Sequence, residues 1–323
     1  MSDNGKVIRK CIICGSDDYE IIFTFTYEFL TNTYKNVSPG YVDEIGWMPD
    51  TTSSIVRCRK CGSIYTRDVF VGYERAKGNN PLEEDVRASK TGYTIQMAEC
   101  VGILHSILFL IQNSSFQQMR NSQKYIKFLD FGSGSGAISN LACAMGVRDV
   151  YALDPYTIYQ KTFYEKYNFP GIVFSRDKEE IFKYAPFDVV VSSSVFEHLF
   201  DPMNELISIY DNMSKGSFFY ITNPFMDIDR EINQLRNAKA IYKKDIICHY
   251  HPGHINYLKP KQFKNLVENI GFEVLSFSVK PHVPLTKHSI KQHLYHNSVR
   301  FAKTAFNLLG VPYNRQAFIV RKK

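Results

Sequence analysis

The stretch FLDFGSGSGAISNLACAMG, residues 128–146, decides the fold of this chain. Apolar residues lead into Asp130, glycines alternate with serines, and a run of helix-forming residues follows. This order predicts a strand, a tight turn and the start of a helix. Gly132, Gly134 and Gly136 suit a turn around the pyrophosphate of a dinucleotide or around the amino-acid end of S-adenosylmethionine, and their spacing does not choose between the two ligands.

Strand-like and helix-like segments alternate from Tyr125 to the end of the chain. This alternation predicts an α/β domain with a doubly wound, Rossmann-like sheet of seven strands. We expect strands at 125–130, 149–153, 171–175, 187–193, 216–222, 272–279 and 316–321, and helices near 136–146, 156–168, 203–213, 259–270 and 286–308. Ligands of such sheets bind at the carboxyl ends of the strands.

The composition predicts a folded protein with a substantial core, because 44% of the 323 residues are hydrophobic and 14% are aromatic. No uninterrupted apolar run reaches the ~18–20 residues of a membrane span, and the N-terminal MSDNGKVIRKC has no apolar signal-peptide core. We therefore expect a cytoplasmic protein without a membrane span. The net charge of +7 fits an anionic partner, but the basic residues are scattered, which favours a solvated surface.

Two C-x-x-C pairs lie near the N-terminus, CIIC and CRKC, and each is followed by glycine. Such turns supply four thiolates, which suit tetrahedral zinc and leave no open position for catalysis. Redox dithiols and disulfides are the alternatives, but a redox C-x-x-C usually occurs once and the sequence shows no secretion signal. We expect a structural zinc ion in a small zinc-ribbon-like domain, held by Cys11, Cys14, Cys58 and Cys61.

Two carboxylates bear on the choice of cofactor. Asp154 ends the second strand, in VYALDPY, and suits the ribose hydroxyls of either nucleoside ligand. Asp130 lies two residues before the first glycine, where it suits the sulfonium and ammonium groups of S-adenosylmethionine and would repel a pyrophosphate. We therefore favour S-adenosylmethionine, cradled by the backbone amides between residues 132 and 136 and by the two carboxylates.

Five segments between about 125 and 280 follow the order found in class I S-adenosylmethionine-dependent methyltransferases, which the chain resembles. They are LDFGSGSG, LDP, FDVVVSSSVFEHLFDP, GSFFYITNP and HINYLKPKQFKNLVENIGFEV. The resemblance implies that the three glycines line the methionine part of the cofactor, that Asp154 holds the ribose and that Asp177 approaches the adenine. The implied cofactor contacts are Asp130, Gly132, Gly134, Gly136, Asp154, Asp177 and Ser192.

The C-x-x-C pairs ahead of this domain are similar to those of methyltransferases from bacterial sugar and surface-polysaccharide pathways, including deoxysugar C-methyltransferases. This resemblance implies a small phosphorylated or sugar-like acceptor, such as a nucleotide-linked sugar or a polysaccharide precursor. The implied organisation is a zinc-binding domain at 1–72, a linker with helices that lead into the main domain at 73–122, and the S-adenosylmethionine-binding domain at 123–323.

Glu197 and His198 directly follow the fourth strand, at the end of the sheet where ligands bind. A Glu-His pair at this place lies in the active site of the sugar C-methyltransferases. The resemblance implies that His198 is the general base and that Glu197 orients its ring or touches the substrate. The alternative is that His198 packs under the cofactor. Methyltransferases of ubiquinone biosynthesis bind a divalent metal with an additional upstream glutamate, and Ser194 stands at that place here, so we expect no catalytic metal.

The segment CHYHPGHINYL, residues 248–258, lies where acceptor pockets are commonly roofed, and we expect His254 and Tyr257 to contact the acceptor. A metal on its three histidines and simple packing are the alternatives, and no carboxylate stands beside these histidines in the sequence. The charged residues 223–245 are a candidate lid. The basic tail from about 286 suits either an anionic lipid surface or a helix that covers the sheet.

The expected function is S-adenosylmethionine-dependent methyl transfer to a small-molecule acceptor. Two other acceptor classes stay open, a quinone-like or phenolic hydroxyl and an RNA bound through the zinc domain. Nucleic acid is not the expected partner, because basic and aromatic residues do not interleave in the zinc domain. The methylated atom and the oligomeric state do not follow from the sequence.

Overall fold

The computed structural model describes residues 6–34, 49–70, 126–134, 136–155, 171–223, 228–229, 232–233, 254–279 and 316–323. The chain forms two compact units. The first comprises Met1–Glu83, Phe196–Leu206 and Pro224–Leu266, and the second comprises Glu84–Val195, Ile207–Asn223 and Val267–Lys323. Both predicted domain boundaries, most of the candidate lid, the basic tail from about 286 to 315, and the helices expected near 156–168 and 286–308 lie outside the described residues.

The described strands and helices follow in chain order. The chain begins with β1 (Lys6–Ile8), β2 (Tyr19–Thr26), α1 (Tyr27–Tyr34), β3 (Thr52–Cys58), β4 (Ile64–Thr66) and β5 (Asp68–Phe70). It continues with β6 (Lys127–Phe131), α2 (Ala137–Ala144), β7 (Asp149–Leu153), β8 (Ile172–Ser175), α3 (Lys178–Phe182) and β9 (Phe187–Ser193). The remainder is a 3-10 helix (Phe196–His198), α4 (Pro202–Asp211), β10 (Met213–Asn223), β11 (Asn256–Tyr257), α5 (Pro260–Ile270), β12 (Phe272–Val279) and β13 (Gln316–Lys322).

A seven-stranded sheet forms the centre of the second unit, with the strand order β12-β13-β10-β9-β6-β7-β8. Strands β10, β9, β6, β7 and β8 run parallel to one another. Strand β13 pairs antiparallel with both β10 and β12. This topology confirms the predicted Rossmann-like sheet of seven strands. Strand β9 is buried from Phe187 to Ser192, as expected when both faces of a parallel sheet are covered.

Helix α3 in the second unit was not predicted from the sequence. It has five residues, which is too short for a helical repeat of apolar positions to show. Its start is fixed locally, because the Asp177 side chain accepts a hydrogen bond from the amide of Glu179 at 2.9 Å. Among the described helices, none combines the length and apolar character that a membrane crossing requires.

A four-stranded sheet with the order β11-β4-β3-β2 forms the centre of the first unit, and β1 pairs with β5 beside it. Strand β11 comes from a distant part of the chain and pairs antiparallel with β4. Strand-like sequence continues to Phe29, but β2 ends at Thr26, whose hydroxyl accepts the Phe29 amide at 3.1 Å and begins α1. The buried core consists of Phe25, Ile55, Ile64, Val69, Ile228, Ile232, Ile255 and Tyr257.

Candidate functional site

The glycine turn after β6 has a backbone that only glycine adopts easily. Gly132, Gly134 and Gly136 have positive φ angles of 76°, 52° and 74°. At Gly132 a Cβ atom would also overlap with the side chain of Val195. The first glycine is therefore required both for its backbone angle and for close packing, and α2 begins directly after the turn.

The amides of this turn donate hydrogen bonds within the protein. Those of Gly132 and Ser133 donate to the carbonyl oxygen of Leu153 at 2.8 and 3.0 Å. The Gly134 amide donates to Oδ2 of Asp154 at 2.9 Å. These three amides are therefore engaged inside the protein, and their contact with the cofactor stays a prediction. Because glycine has no side chain, the turn leaves space beside its backbone for a ligand.

Asp130, in β6, is a buried carboxylate next to a second carboxylate. Its Oδ2 accepts hydrogen bonds from the amide and hydroxyl of Ser139 at 3.1 and 2.7 Å. Burial raises the pKa of Asp130 to about 7, the bonds from Ser139 oppose this shift, and the charge of Asp154 adds to it. A bound cation would stabilise this anionic pair, so the site fits the sulfonium and ammonium groups of S-adenosylmethionine.

Two buried polar side chains lie near the carboxyl ends of the neighbouring strands β9 and β10. Ser192 and Asn223 are 0% and 1% exposed, and the Ser192 hydroxyl and the Asn223 amide have no hydrogen-bond partner among the described residues. Buried polar groups are normally paired, so these atoms are candidates for contact with a polar ligand group. The sequence predicts Ser192 but not Asn223, which the polar ending ITNP of the fifth strand could have indicated.

Two other predicted cofactor contacts follow β7 and β8, at the same edge of the sheet. Asp154 is buried and accepts the Gly134 amide through Oδ2. Asp177 is exposed and caps α3 through Oδ1. Capping is a sufficient structural reason for an aspartate at this position. Its contact with adenine stays a prediction.

The 3-10 helix and the segment before β11 bring three candidate side chains together in the first unit. The rings of His198 and His254 lie 4.8 Å apart between centroids. Nε2 of His198 lies 3.8 Å from Oε1 of Glu197. Glu197 is fully buried, and the His198 side chain is 14% exposed. His254 thus has a carboxylate nearby after all, supplied by a residue too distant in the sequence for the local pattern to show it.

The spacing of these three residues allows two kinds of chemistry. One nitrogen or oxygen atom of each lies within 4.8 Å of those of the other two. A carboxylate beside two imidazoles can orient an imidazole ring that accepts and donates a proton. The same set of nitrogen and oxygen donors suits a divalent transition metal. The other predicted acceptor contact, Tyr257, is fully buried in the apolar core of the first unit.

The four N-terminal cysteines meet at one point. Sγ of Cys11 lies 3.4 Å from that of Cys61, and Sγ of Cys14 lies 3.6 Å from that of Cys58. All four sulfur atoms are within 4.8 Å of one another. A tetrahedral site with Zn–S bonds of ~2.3 Å places its sulfurs ~3.8 Å apart, so the four thiols fit a zinc ion.

The two cysteine turns have the same local geometry. The amides of Gly15 and Gly62 donate to the carbonyl oxygens of Cys11 and Cys58 at 2.9 and 2.8 Å. Both glycines have positive φ angles, 67° and 73°, which explains the glycine after each C-x-x-C pair. The Ser63 hydroxyl lies 3.0 Å from the Cys11 sulfur. These turns preorganise the sulfur atoms for one ion.

The sequence matches one family of known proteins over more than half of its 323 residues. That family is a methyltransferase domain, and the match covers residues 104–277. The comparison with curated proteins finds no match.

Solved structures with a similar fold include several methyltransferases. The plantazolicin methyltransferase BpumL, in complex with a monoazolic desmethylPZN analog and SAH, is 14% identical with a TM-score of 0.47, over 78% of this chain and 93% of that protein. An S-adenosylmethionine-dependent methyltransferase from Mesorhizobium loti is 11% identical with a TM-score of 0.41, over 66% of this chain and 100% of that protein. At these values neither structure supports an inference about the acceptor.

Proposed function

Because the chain belongs to this methyltransferase domain family and is an S-adenosylmethionine-dependent methyltransferase, we propose that its acceptor is a small nucleotide-linked sugar or surface-polysaccharide precursor. The net charge of +7 suits a phosphorylated acceptor. The resemblance of the paired cysteine turns to those of sugar-pathway methyltransferases supports the same class. The observation that carries the cofactor side is the buried carboxylate pair of Asp130 and Asp154.

The cofactor site in this proposal lies along the carboxyl edge of the seven-stranded sheet. S-adenosylmethionine supplies an electrophilic methyl group on a positively charged sulfur. Asp130 balances the cationic end, the glycines leave room for the methionine part, and Asp154 holds the ribose. The proposed contacts are Asp130, Gly132, Gly134, Gly136, Asp154, Asp177 and Ser192.

The acceptor side of the proposal uses the three side chains that meet in the first unit. His198 accepts the proton from the nucleophilic atom of the acceptor as that atom attacks the methyl group. Glu197, 3.8 Å from the imidazole, orients the ring and stabilises the imidazolium that forms. His254 and Tyr257 contact the acceptor. The proximity of His254 to His198 supports its role, whereas Tyr257 is assigned from its sequence position alone.

We further propose that Cys11, Cys14, Cys58 and Cys61 hold a structural zinc ion. The sulfur spacing supports this assignment, and a site closed by four cysteines has no position left for a substrate. The division of the chain into a zinc-binding domain at 1–72, a linker with helices at 73–122 and a cofactor-binding domain at 123–323 belongs to the same proposal. Its zinc-binding part would contain all four cysteines.

The direct test is turnover of S-adenosylmethionine with a panel of uridine and thymidine diphosphate sugars, read by mass spectrometry of the sugar product. We expect one sugar nucleotide to gain a methyl group. His198→Gln should lower kcat by about 10²–10⁴-fold and leave the Kd for S-adenosylmethionine unchanged. Full turnover in this variant would remove the base assignment. Methylation of a phenol or of RNA, with no sugar nucleotide modified, would replace the acceptor class.

A further inference from the structure

A buried arginine links separate parts of the first unit. Arg9 lies two residues before Cys11, and it is only 7% exposed. Its Nη1 donates to the carbonyl oxygens of Thr66 and Ile255, both at 3.1 Å. These bonds join the chain next to the cysteine turns to the end of β4 and to the residue before β11.

The other terminal nitrogen of Arg9 reaches the segment after the 3-10 helix. Nη2 donates to the carbonyl oxygens of Phe200 and Leu199 at 2.9 and 3.4 Å, and to Oδ1 of Asn256 at 2.6 Å. A guanidinium holds its donors in a rigid planar fork, so one side chain satisfies acceptors on several segments at fixed angles. The ammonium group of lysine cannot reproduce this pattern.

Asn256 reinforces the same junction. Its Nδ2 donates to the carbonyl oxygens of Phe196 and Leu199, each at 2.7 Å. The amide of Ile255 donates to the carbonyl oxygen of Glu197 at 2.8 Å. The backbone of the 3-10 helix is thereby fixed to the segment that carries the second histidine.

The burial of Arg9 is unfavourable in itself. Burial lowers its pKa to about 10, which still leaves the guanidinium charged at neutral pH. An apolar side chain of similar volume would fill the space without this desolvation. The five hydrogen bonds offset the cost and set the geometry of the segments around them, and geometry is the feature that an apolar replacement would lose.

We propose that Arg9 is a positioning residue for methyl transfer, holding the 3-10 helix and the β11 segment together so that Glu197, His198 and His254 remain in contact. This inference rests on the proposed function of His198. It also assigns a purpose to the cysteine turns, because a zinc ion at Cys11 would fix the chain two residues from Arg9. The N-terminal segment would then support the acceptor-binding side of the enzyme.

The test compares Arg9→Lys with the matched control Arg67→Lys in the full chain loaded with zinc. Arg67 belongs to the same unit, but its guanidinium pairs with Asp68 and lies over the ring of Tyr19. The first readout is the ring-nitrogen NMR signals of the histidines, assigned with His→Gln variants. The second is the rate at which diethyl pyrocarbonate modifies His198, measured by peptide mass spectrometry. Neither readout requires a known acceptor.

In Arg9→Lys we expect the ring signals of His198 and His254 to shift or broaden, and the modification rate of His198 to rise about 10- to 100-fold, because the segment opens more often. Arg67→Lys should match the wild-type protein in both readouts. The Kd for S-adenosylmethionine should stay within about twofold in both variants. Unchanged histidine signals and an unchanged modification rate in folded Arg9→Lys would overturn the inference.

A second variant decides the question if Arg9→Lys does not fold. Asn256→Asp keeps an acceptor for Arg9 but removes the two N–H donors that hold the 3-10 helix, so the same histidine changes are expected. Wild-type histidine behaviour in this variant would count against the positioning role. Failure of the base assignment can be distinguished from failure of the positioning role. If only the base assignment is wrong, His198→Gln keeps full turnover with a sugar nucleotide, whereas Arg9→Lys still changes the histidine signals.

Discussion

The affinity for S-adenosylmethionine should fall steeply below pH 7, because Asp130 must be ionised to stabilise a cation. Burial raises the pKa of this carboxyl group from 3.8 to about 7 in the free protein. A sulfonium or ammonium group beside it favours the charged form and lowers the pKa again. Binding from a more acidic solution therefore has to expel a proton.

The size of the effect follows from this shift. For one group with a pKa of about 7 before binding and a much lower value after it, Kd rises about 25-fold between pH 7.5 and pH 5.5. The site should release about one proton on binding at pH 5.5 and about a quarter of a proton at pH 7.5. Isothermal titration calorimetry in two buffers of different ionisation enthalpy measures both quantities.

The free protein should show the matching change in stability. Between pH 3.8 and about 7 the folded state retains a proton that the unfolded chain has lost. The free energy of unfolding therefore falls as the pH rises through this window, by about 4 kcal/mol in total. Urea denaturation across the window tests this sign, and Asp130→Asn should remove the contribution.

Two variants separate this mechanism from a general effect of acid. Asp130→Asn should bind weakly at both pH values, with little remaining pH dependence. Asp188→Asn is the matched control, since Asp188 is also buried but lies at the amino end of β9, where it accepts the Lys127 amide and the Ser214 hydroxyl. A pH-independent Kd in the wild-type protein, or an unchanged 25-fold effect in Asp130→Asn, would refute the reasoning.

Three further predictions concern single positions. Asn223→Leu should raise the free energy of unfolding by about 1–3 kcal/mol, since it removes a buried amide without a partner among the described residues, and it should weaken ligand binding in calorimetry. Gly132→Ala should lower the free energy of unfolding by more than about 2 kcal/mol in urea denaturation, whereas Gly146→Ala, with open space around it, should lose only about 1–2 kcal/mol. Metal analysis should find one zinc per chain that Cys58→Ser loses and Glu197→Gln keeps; a second equivalent lost in Glu197→Gln would mean that this cluster holds a metal, and would displace the base assignment.

The strands of the second unit could be predicted because their own sequence carries the signal. Strands β7, β9 and β12 occupy the expected residues. The parallel strands β7 and β9 were predictable because a buried parallel strand is a nearly continuous apolar run between polar ends. The glycine turn was recognisable for a similar reason, because positive φ angles restrict the residue type. The use of its amides was not, because the partners of Gly132 and Ser133 lie on β7 and depend on how the strands align.

In the first unit the cysteine turns could be predicted, but the pairing of the strands could not. A two-residue strand such as β11 has no periodicity, and its pairing with β4 depends on tertiary contacts between distant segments. Arginine is usually exposed, and nothing in the sequence around Arg9 indicates that this side chain is buried. The proximity of Glu197 to His254 also depends on tertiary contacts between distant segments, so the sequence does not indicate it.

The order of the chain explains why these residues were hard to group. The chain passes from the second unit to the first after Val195 and again after Asn223, just beyond the carboxyl ends of the neighbouring strands β9 and β10. Carboxyl ends of parallel strands are where α/β proteins place their ligand contacts. The sequence therefore indicates Glu197 and His198 from their position after β9. It does not indicate that they belong to the same unit as the four cysteines. Because they do, we expect substitutions near Arg9 to affect the histidines.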